Sequence, residues 1–366
     1  MSSNPSAIPF SVPRPAPVTA ASAPTQTTVI GWDLGGVHVK AARVRDGRVE
    51  AVVQAPCRLW RGLPALDETF SQLPDWARTS ADHVVTMTGE LTDCFSDRAD
   101  GVAQLAGWAG ANLTGSVRIY GGRAGLLAPD SARAAAADIA SANWHATAAL
   151  VGRHRGEALL VDIGSTTADL IPVVGGRPAA TGYSDAERLE TGELVYTGVV
   201  RSHPIALADH APFRGRRTRL MAETFATMAD VYRVTGDLAD GADQQQSADG
   251  KGKSLAESEI RLARLIGRDH GEGVPADWRA LAAHFAEAQL RPLHDAAALL
   301  LSRADLPPDA PVVVCGAGRF LAERLAARLG RPAVALTDLI ADRVSPAGAD
   351  WASTCGPAVA VALLAR

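Results

Sequence analysis

The feature that most constrains this chain is a pattern it carries twice. Val29-Ile30-Gly31-Trp32-Asp33-Leu34-Gly35-Gly36-Val37-His38-Val39-Lys40 sets an apolar run before an Asp, a Gly two residues on, another small residue, and more strand-like sequence. Leu160-Val161-Asp162-Ile163-Gly164-Ser165-Thr166-Thr167-Ala168-Asp169 repeats that order. The match extends outward, because Asp46-Gly47-Arg48 follows Asp33 at the distance at which Gly175-Gly176-Arg177 follows Asp162. Each copy predicts a strand, a tight Asp-x-Gly turn, a second strand, a two-residue hairpin turn and a third strand. One such turn is weak evidence; its duplication at matched spacing points to two related half-domains.

The chemistry of the turn follows from its parts. Glycine lets the chain fold sharply and brings backbone N–H groups close to an anion. Gly35, Gly36, Gly164, Ser165, Thr166 and Thr167 are therefore the candidate phosphate-binding residues. Asp33 and Asp162 repel a phosphate directly but can hold a hydrated Mg²⁺ that binds one. Two such turns facing each other would clamp a polyphosphate between the half-domains.

Composition bounds the partners. A chain of 366 residues has room for two domains, and a net charge of −4 offers no basic field for nucleic acid. The only lysines are Lys40, Lys251 and Lys253, so a lysine at the end of the first motif reads either as a charge for the phosphate or as an exposed strand residue. Four scattered cysteines without a CxxC pair argue against a disulfide scaffold or a structural zinc. No apolar run is long enough for a membrane span, and a cytoplasmic protein is expected. Residues 1–27 read as a disordered tail, 29–152 as the first domain, and 153–366 as the second, with a mobile polar loop over 236–258. Lys251 and Lys253 in that loop suggest a lid over the cleft.

Further along, His83 to Asp93 reads as a buried strand ending in Gly89-Glu90, which makes Glu90 and Asp93 candidates for an acid or base where ligands gather. Helices are expected over 132–140, from Asn143 as N-cap, over 218–232, 257–267, 277–303, 321–329 and 357–366. Trp144 and His145 read as packed core residues or as part of the cleft, and Tyr196 as packing or catalysis. The Arg214, Arg216, Arg217 and Arg219 cluster reads as a solvated loop or an anion contact. A late strand and turn, Val312-Val313-Val314-Cys315-Gly316-Ala317-Gly318, adds Gly316 and Gly318 as candidate phosphate contacts. A Rossmann reading of that turn lacks the third glycine, since Leu321 stands there.

Two Asp-x-Gly hairpins, a small-residue helix between them and a late Gly-rich turn resemble the actin, sugar-kinase and Hsp70 superfamily, in which two ribonuclease H-like α/β half-domains flank a cleft. More closely, Gly31-Trp32-Asp33, Met87 to Asp93, Asn143-Trp144-His145, Gly192 to Gly198 with Arg201, Ala248-Asp249-Gly250 and Arg264 to Asp269 resemble the hydantoinase/oxoprolinase-like branch found with tetrahydromethanopterin-linked one-carbon genes. The archaeal members are methanofuran synthases. The resemblance implies that an aminomethyl-furanmethyl diphosphate alkylates the phenol of a γ-glutamyl-tyramine or tyrosine-type acceptor and releases diphosphate. Mg²⁺ would then be the cofactor, Lys40 and Arg201 would add charge at the leaving group, and Glu90 or Glu193 would take the phenol proton. A phenol with a pKa near ~10 needs such help at neutral pH.

Three function classes follow: this transferase; an ATP-dependent kinase or hydantoinase/oxoprolinase-type amidohydrolase subunit; and an actin-like binding protein. ATP is expected only under the second. The transferase's partners are a small-molecule diphosphate and a phenolic acceptor, with no nucleic acid and no membrane; a homo-oligomer is left open.

Overall fold

The computed structural model describes residues 27–365, so the expected tail lies outside the described residues apart from Thr27. The first copy of the repeat forms β1 (Thr28–Leu34), β2 (His38–Arg45) and β3 (Arg48–Pro56), antiparallel neighbours in sequence order. Asp46 and Gly47 turn the second hairpin with φ of 48° and 80°, backbone whose twist matches the flanking strands. β4 (Ala81–Met87) then lies parallel to β1, β5 (Gly115–Tyr120) parallel to β4, and β6 (Leu126–Leu127) closes the edge.

The second copy gives β7 (Ala158–Ile163), β8 (Ala168–Val174) and β9 (Arg177–Pro178), with Gly175 and Gly176 at φ 56° and 73°. β10 (Leu194–Val195) pairs with β8, and a separate ribbon joins β11 (His210–Phe213) to β12 (Arg216–Arg219). β13 (Val312–Cys315) lies parallel to β7, and β14 (Ala333–Ala335) parallel to β13. The orders are β3-β2-β1-β4-β5-β6 and β10-β8-β7-β13-β14, so both lobes wind antiparallel first and parallel afterwards, the ribonuclease H-like course.

Central strands of both sheets are buried on both faces, which explains their continuous apolar runs. Ile30, Trp32 and Leu34 pack outward with Leu66, Leu105 and Ala109. Val161, Ile163 and Val314 pack outward with Leu262, Phe285 and Leu321. Between the sheets, Val29, Val84, Leu160 and Val313 share one cluster with Trp144, Ala148, Ala358 and Ala362. The helices Asn143–His154 and Gly356–Leu364 therefore form a middle layer. The cut expected between residues 152 and 153 falls inside the first of these helices. Small residues let the layer close: a Cβ on Gly31 would sit 2.0 Å from the carbonyl oxygen of Ala358. Arg153 donates to the carbonyls of Leu363 and Leu364, capping the late helix.

Two expected helices differ. Over 132–140 only Ala136–Ile139 is helical. Residues 218–232 begin in the β11–β12 ribbon instead, and the helix there is Met228–Thr235, whose start is fixed where Asp230 accepts from the Thr227 amide. Among the described residues, no helix is long and apolar enough to cross a membrane.

Candidate active site

β1 and β7 each carry their Asp one residue before the strand ends, and both Asp-x-Gly turns open into one cavity of about 510 Å³. Asp33, Gly35, Gly36 and Lys40 line it from the first lobe, and Asp162, Gly164, Ser165, Thr166, Thr167 and Arg201 from the second. The turns are set by their own backbones, since Gly35 N–H donates to His38 O and Gly164 N–H to Thr167 O. Register makes the copies comparable: Asp33 faces Lys40 across the first hairpin, and Asp162 faces Asp169 across the second.

That one exchange of charge decides the electrostatics. Lys40 Nζ donates to Asp33 Oδ2 at 3.3 Å, while Asp33 Oδ1 is buried without a partner. Burial is the largest influence and opposes the Lys40 charge, but Asp33, Cys355 and Asp162 together outweigh it and hold the ammonium above its ordinary value. On the other side, burial and then the facing Asp169 push the Asp162 carboxyl up to about 7. Asp169 itself is paired with the buried guanidinium of Arg188, which stacks over Trp144 at 4.6 Å.

Arg201 is placed by its backbone. Its N–H and that of Val200 donate to Ser165 O, tying the loop after β10 to the second turn. Gly198 permits this approach, because a Cβ there would lie 2.3 Å from Thr166 N. Gln289 braces the loop from behind with bonds to Thr197 Oγ1 and Gly198 O, and Tyr232 donates to the Gln289 carbonyl.

Four expected site residues stand elsewhere. Glu193 is fully buried away from the cavity and accepts from Thr181 N and Oγ1, Gly182 N, Thr191 Oγ1 and Arg303. Burial alone would raise its pKa, but these donors hold it below the usual range, which is an anchor and not a base. Gly316 and Gly318 serve packing against β7: their amides donate to Ser353 O and Ile163 O, and a Cβ on Gly316 would lie 2.2 Å from Ile163 O. Glu90 is buried behind the cavity wall, and its carboxylate accepts from Ser141, which does line the cavity.

The hydantoinase/oxoprolinase family model matches residues 82–357, well over half of the chain. The chain belongs to the hydantoinase/oxoprolinase family. It is 28% identical over 243 residues to the (4-{4-[2-(gamma-L-glutamylamino)ethyl]phenoxymethyl}furan-2-yl)methanamine synthase of Methanocaldococcus jannaschii, covering 66% of this chain and 72% of that one. Identity to the protein of the same name from Methanococcus vannielii is 34% over 111 residues, 30% of this chain and half of the other. Among solved structures, nucleotide-free acetone carboxylase superposes with a TM-score of 0.57 at 12% identity, over 92% of this chain and 70% of that one, a likeness of fold alone.

This hydantoinase/oxoprolinase-family chain also places residues at the cavity that its sequence did not single out: His38, Trp60, Thr88, Asp169, Asp185 and Arg188. Asp169 stands at the offset from Asp162 that Lys40 has from Asp33, so an alignment of the two copies carries the signal for it. His38 is neutral; burial, then Lys40 and Arg201, bring it down to about 3. Asn143 is the first helical residue and not the cap, which is Ala142, and it lines the cavity. His145 pairs with the Tyr120 hydroxyl and Trp144 packs in the core. Tyr196 is not packed: it is 69% exposed at the cavity, with Leu91 at 49% and Trp60 at 43%.

The polar segment 236–258 is a strap in this family member. Gln244 donates to Gln54 O, and Gln245 to Val37 O, with its amide also 3.3 Å from His38 Nε2. Lys253 is committed to Asp243, which also pairs with Arg233. Asp249 is held by Arg261 and Arg264. Lys253 therefore does not reach over the cavity as a lid lysine would.

Proposed function

We propose that this chain is a synthase of methanofuran type, which joins an aminomethyl-furanmethyl diphosphate to the phenol of a γ-glutamyl-tyramine or tyrosine-type acceptor. The observation that carries the reading is the make-up of one cavity. Phosphate-type turns and cations lie within it, and exposed Trp60, Leu91 and Tyr196 form an apolar rim suited to aromatic rings. The 28% identity to a furanmethanamine synthase supports the same chemistry.

In this reading the furan oxygen stabilises positive charge developing at the furanmethyl carbon while the carbon–oxygen bond to diphosphate breaks. Lys40, Arg201 and the hydroxyls of Ser165, Thr166 and Thr167 receive the departing charge. The donor set fits a divalent cation: two carboxylates face a cavity meant for an anion, and Asp33 Oδ1 has no other partner. Asp33 and Asp162 would hold Mg²⁺, which would neutralise the leaving diphosphate.

Purified protein offered the furanmethyl diphosphate and a tyramine acceptor, followed by phosphorus NMR, is expected to release diphosphate only when the acceptor is present. Asp33→Asn and Asp162→Asn should each lower turnover by about 10²-fold or more with an unchanged unfolding midpoint. Wild-type rates in both would end the cation-clamp idea.

One observation favours the ATP-dependent alternative, a kinase or amidohydrolase subunit. A second cavity of about 300 Å³ lies beside the late Gly-rich turn, lined by Ala317, Arg319, Phe320 and Trp351. ATP turnover by a protein inert toward the diphosphate ester would decide for that reading.

A further inference from the structure

The reaction proposed above leaves the phenol proton without an assigned destination. Of the carboxylates lining the cavity, Asp33 is committed to Lys40, Asp169 to Arg188, and Asp185 to Arg98 at 3.0 Å and Arg188 at 3.8 Å. Asp162 is the one reserved above for the cation, and Asp93 is exposed to solvent at the rim. Glu193 is saturated with donors and lies apart. Behind the wall, Glu90 has one oxygen, Oε2, buried without any partner, while Oε1 accepts from Ser141 Oγ at 2.8 Å.

Ser141 joins this carboxyl to the cavity. It is a non-glycine residue held in the left-handed region at φ 52°, in the connection leading into Asn143–His154. Such backbone is sparsely populated by residues with a side chain and persists where surrounding structure enforces it. Its hydroxyl is placed between the cavity, Glu90 and, at 3.2 Å, Asp185 Oδ2. The helix Arg98–Asn112 closes over Glu90 from the other side, where a Cβ on Gly101 would lie 2.4 Å from the Glu90 carbonyl oxygen.

We infer that Ser141 and Glu90 form a proton path from the cavity, with Ser141 taking the acceptor's phenolic proton while passing its own to Glu90. This rests on the transferase reading. The phenol O–H bond breaks and its proton goes to Ser141 Oγ. The Ser141 proton moves to Glu90 Oε1, and the phenolic oxygen forms the new bond to the furanmethyl carbon. The bond from that carbon to diphosphate breaks with its electron pair leaving on diphosphate. Glu90 later returns the proton to solvent, and Ser141 is unchanged. Glu90 acts through Ser141 and is a positioning and proton-holding residue, not one in contact with substrate.

The electrostatics suit the task. Burial raises the Glu90 carboxyl to about 7, against the Ser141 bond; Asp185 raises it further and Arg98 opposes. A proton acceptor poised near the working pH is the efficient kind. Since the group accepts only when ionised, turnover should fall on the acid side of about 7.

The test uses the full chain with the furanmethyl diphosphate and a series of ring-fluorinated tyramine acceptors of increasing phenol acidity. Glu90→Gln keeps shape and an acceptor for Ser141, and should lower kcat by about 10²-fold, leave KM unchanged and remove the acid limb of the pH profile. Acidic phenols should restore the rate in Glu90→Gln and in Ser141→Gly, a variant that also relieves the backbone. Variants slowed equally for every acceptor, or keeping the acid limb, would overturn the path. If wild type transfers nothing to any acceptor, the transferase reading fails first and the path falls with it.

Discussion

Replacing Gly31 by valine is expected to lower stability by about 3 kcal/mol or more, seen as a large drop in the urea midpoint at constant slope. The reason is geometric. A Cβ at this position would lie 2.0 Å from Ala358 O, 2.8 Å from Ala362 Cβ and 2.9 Å from Ala362 N, so the new atoms meet backbone and not a side chain that could swing away. Relief requires moving the helix Gly356–Leu364 off β1, which opens the layer shared by both sheets. Gly107 supplies the contrast: it sits inside the helix Arg98–Asn112, and a Cβ added there would meet nothing within 4 Å, so Gly107→Ala should stabilise by about 0.5–1 kcal/mol. Equal effects at the two sites would mean that the middle layer is not packed as described.

Arg188→Met is expected to cost about 3–5 kcal/mol, because it leaves Asp169 buried without its partner. Asp169 already sits above the ordinary carboxylate range, through burial first, with Arg188 opposing. Removing Arg188 pushes it further up. A carboxyl whose folded pKa exceeds the unfolded value near ~3.9 binds its proton more tightly when folded, so the stability it contributes is full below that value and lost as pH rises. The deficit of Arg188→Met should therefore be larger at pH 8 than at pH 5, and adding Asp169→Asn should recover part of it. A deficit that is flat with pH, with no recovery in the double variant, would contradict the buried pair.

Much of the frame is legible in sequence because its signals are local. The apolar runs ending at Asp33 and Asp162, and the turns Asp46-Gly47 and Gly175-Gly176, specify strands and hairpins without reference to distant residues. The site is legible only where side chains follow from those hairpins. Glu193 reads as a base in sequence because nothing nearby announces Arg303, Thr181 and Gly182 as its donors. Gly316 and Gly318 share the composition of a phosphate turn, yet their amides are spent on Ser353 and Ile163. A lone aromatic such as Tyr196 reads equally as packing or as catalysis until the loop carrying it is folded against the cavity.

The middle layer has a consequence for how the molecule comes into being. Residues 356–364 are translated after every strand of both sheets, yet they cover Val29 and Val84 in the first sheet, and Pro357 belongs to the cavity wall. Until those residues are made, the apolar face carrying Val29 and Val84 lacks the part of its cover that the late helix supplies. A chain cut before Gly356 would lack both the Pro357 part of the cavity wall and this cover over Val29 and Val84.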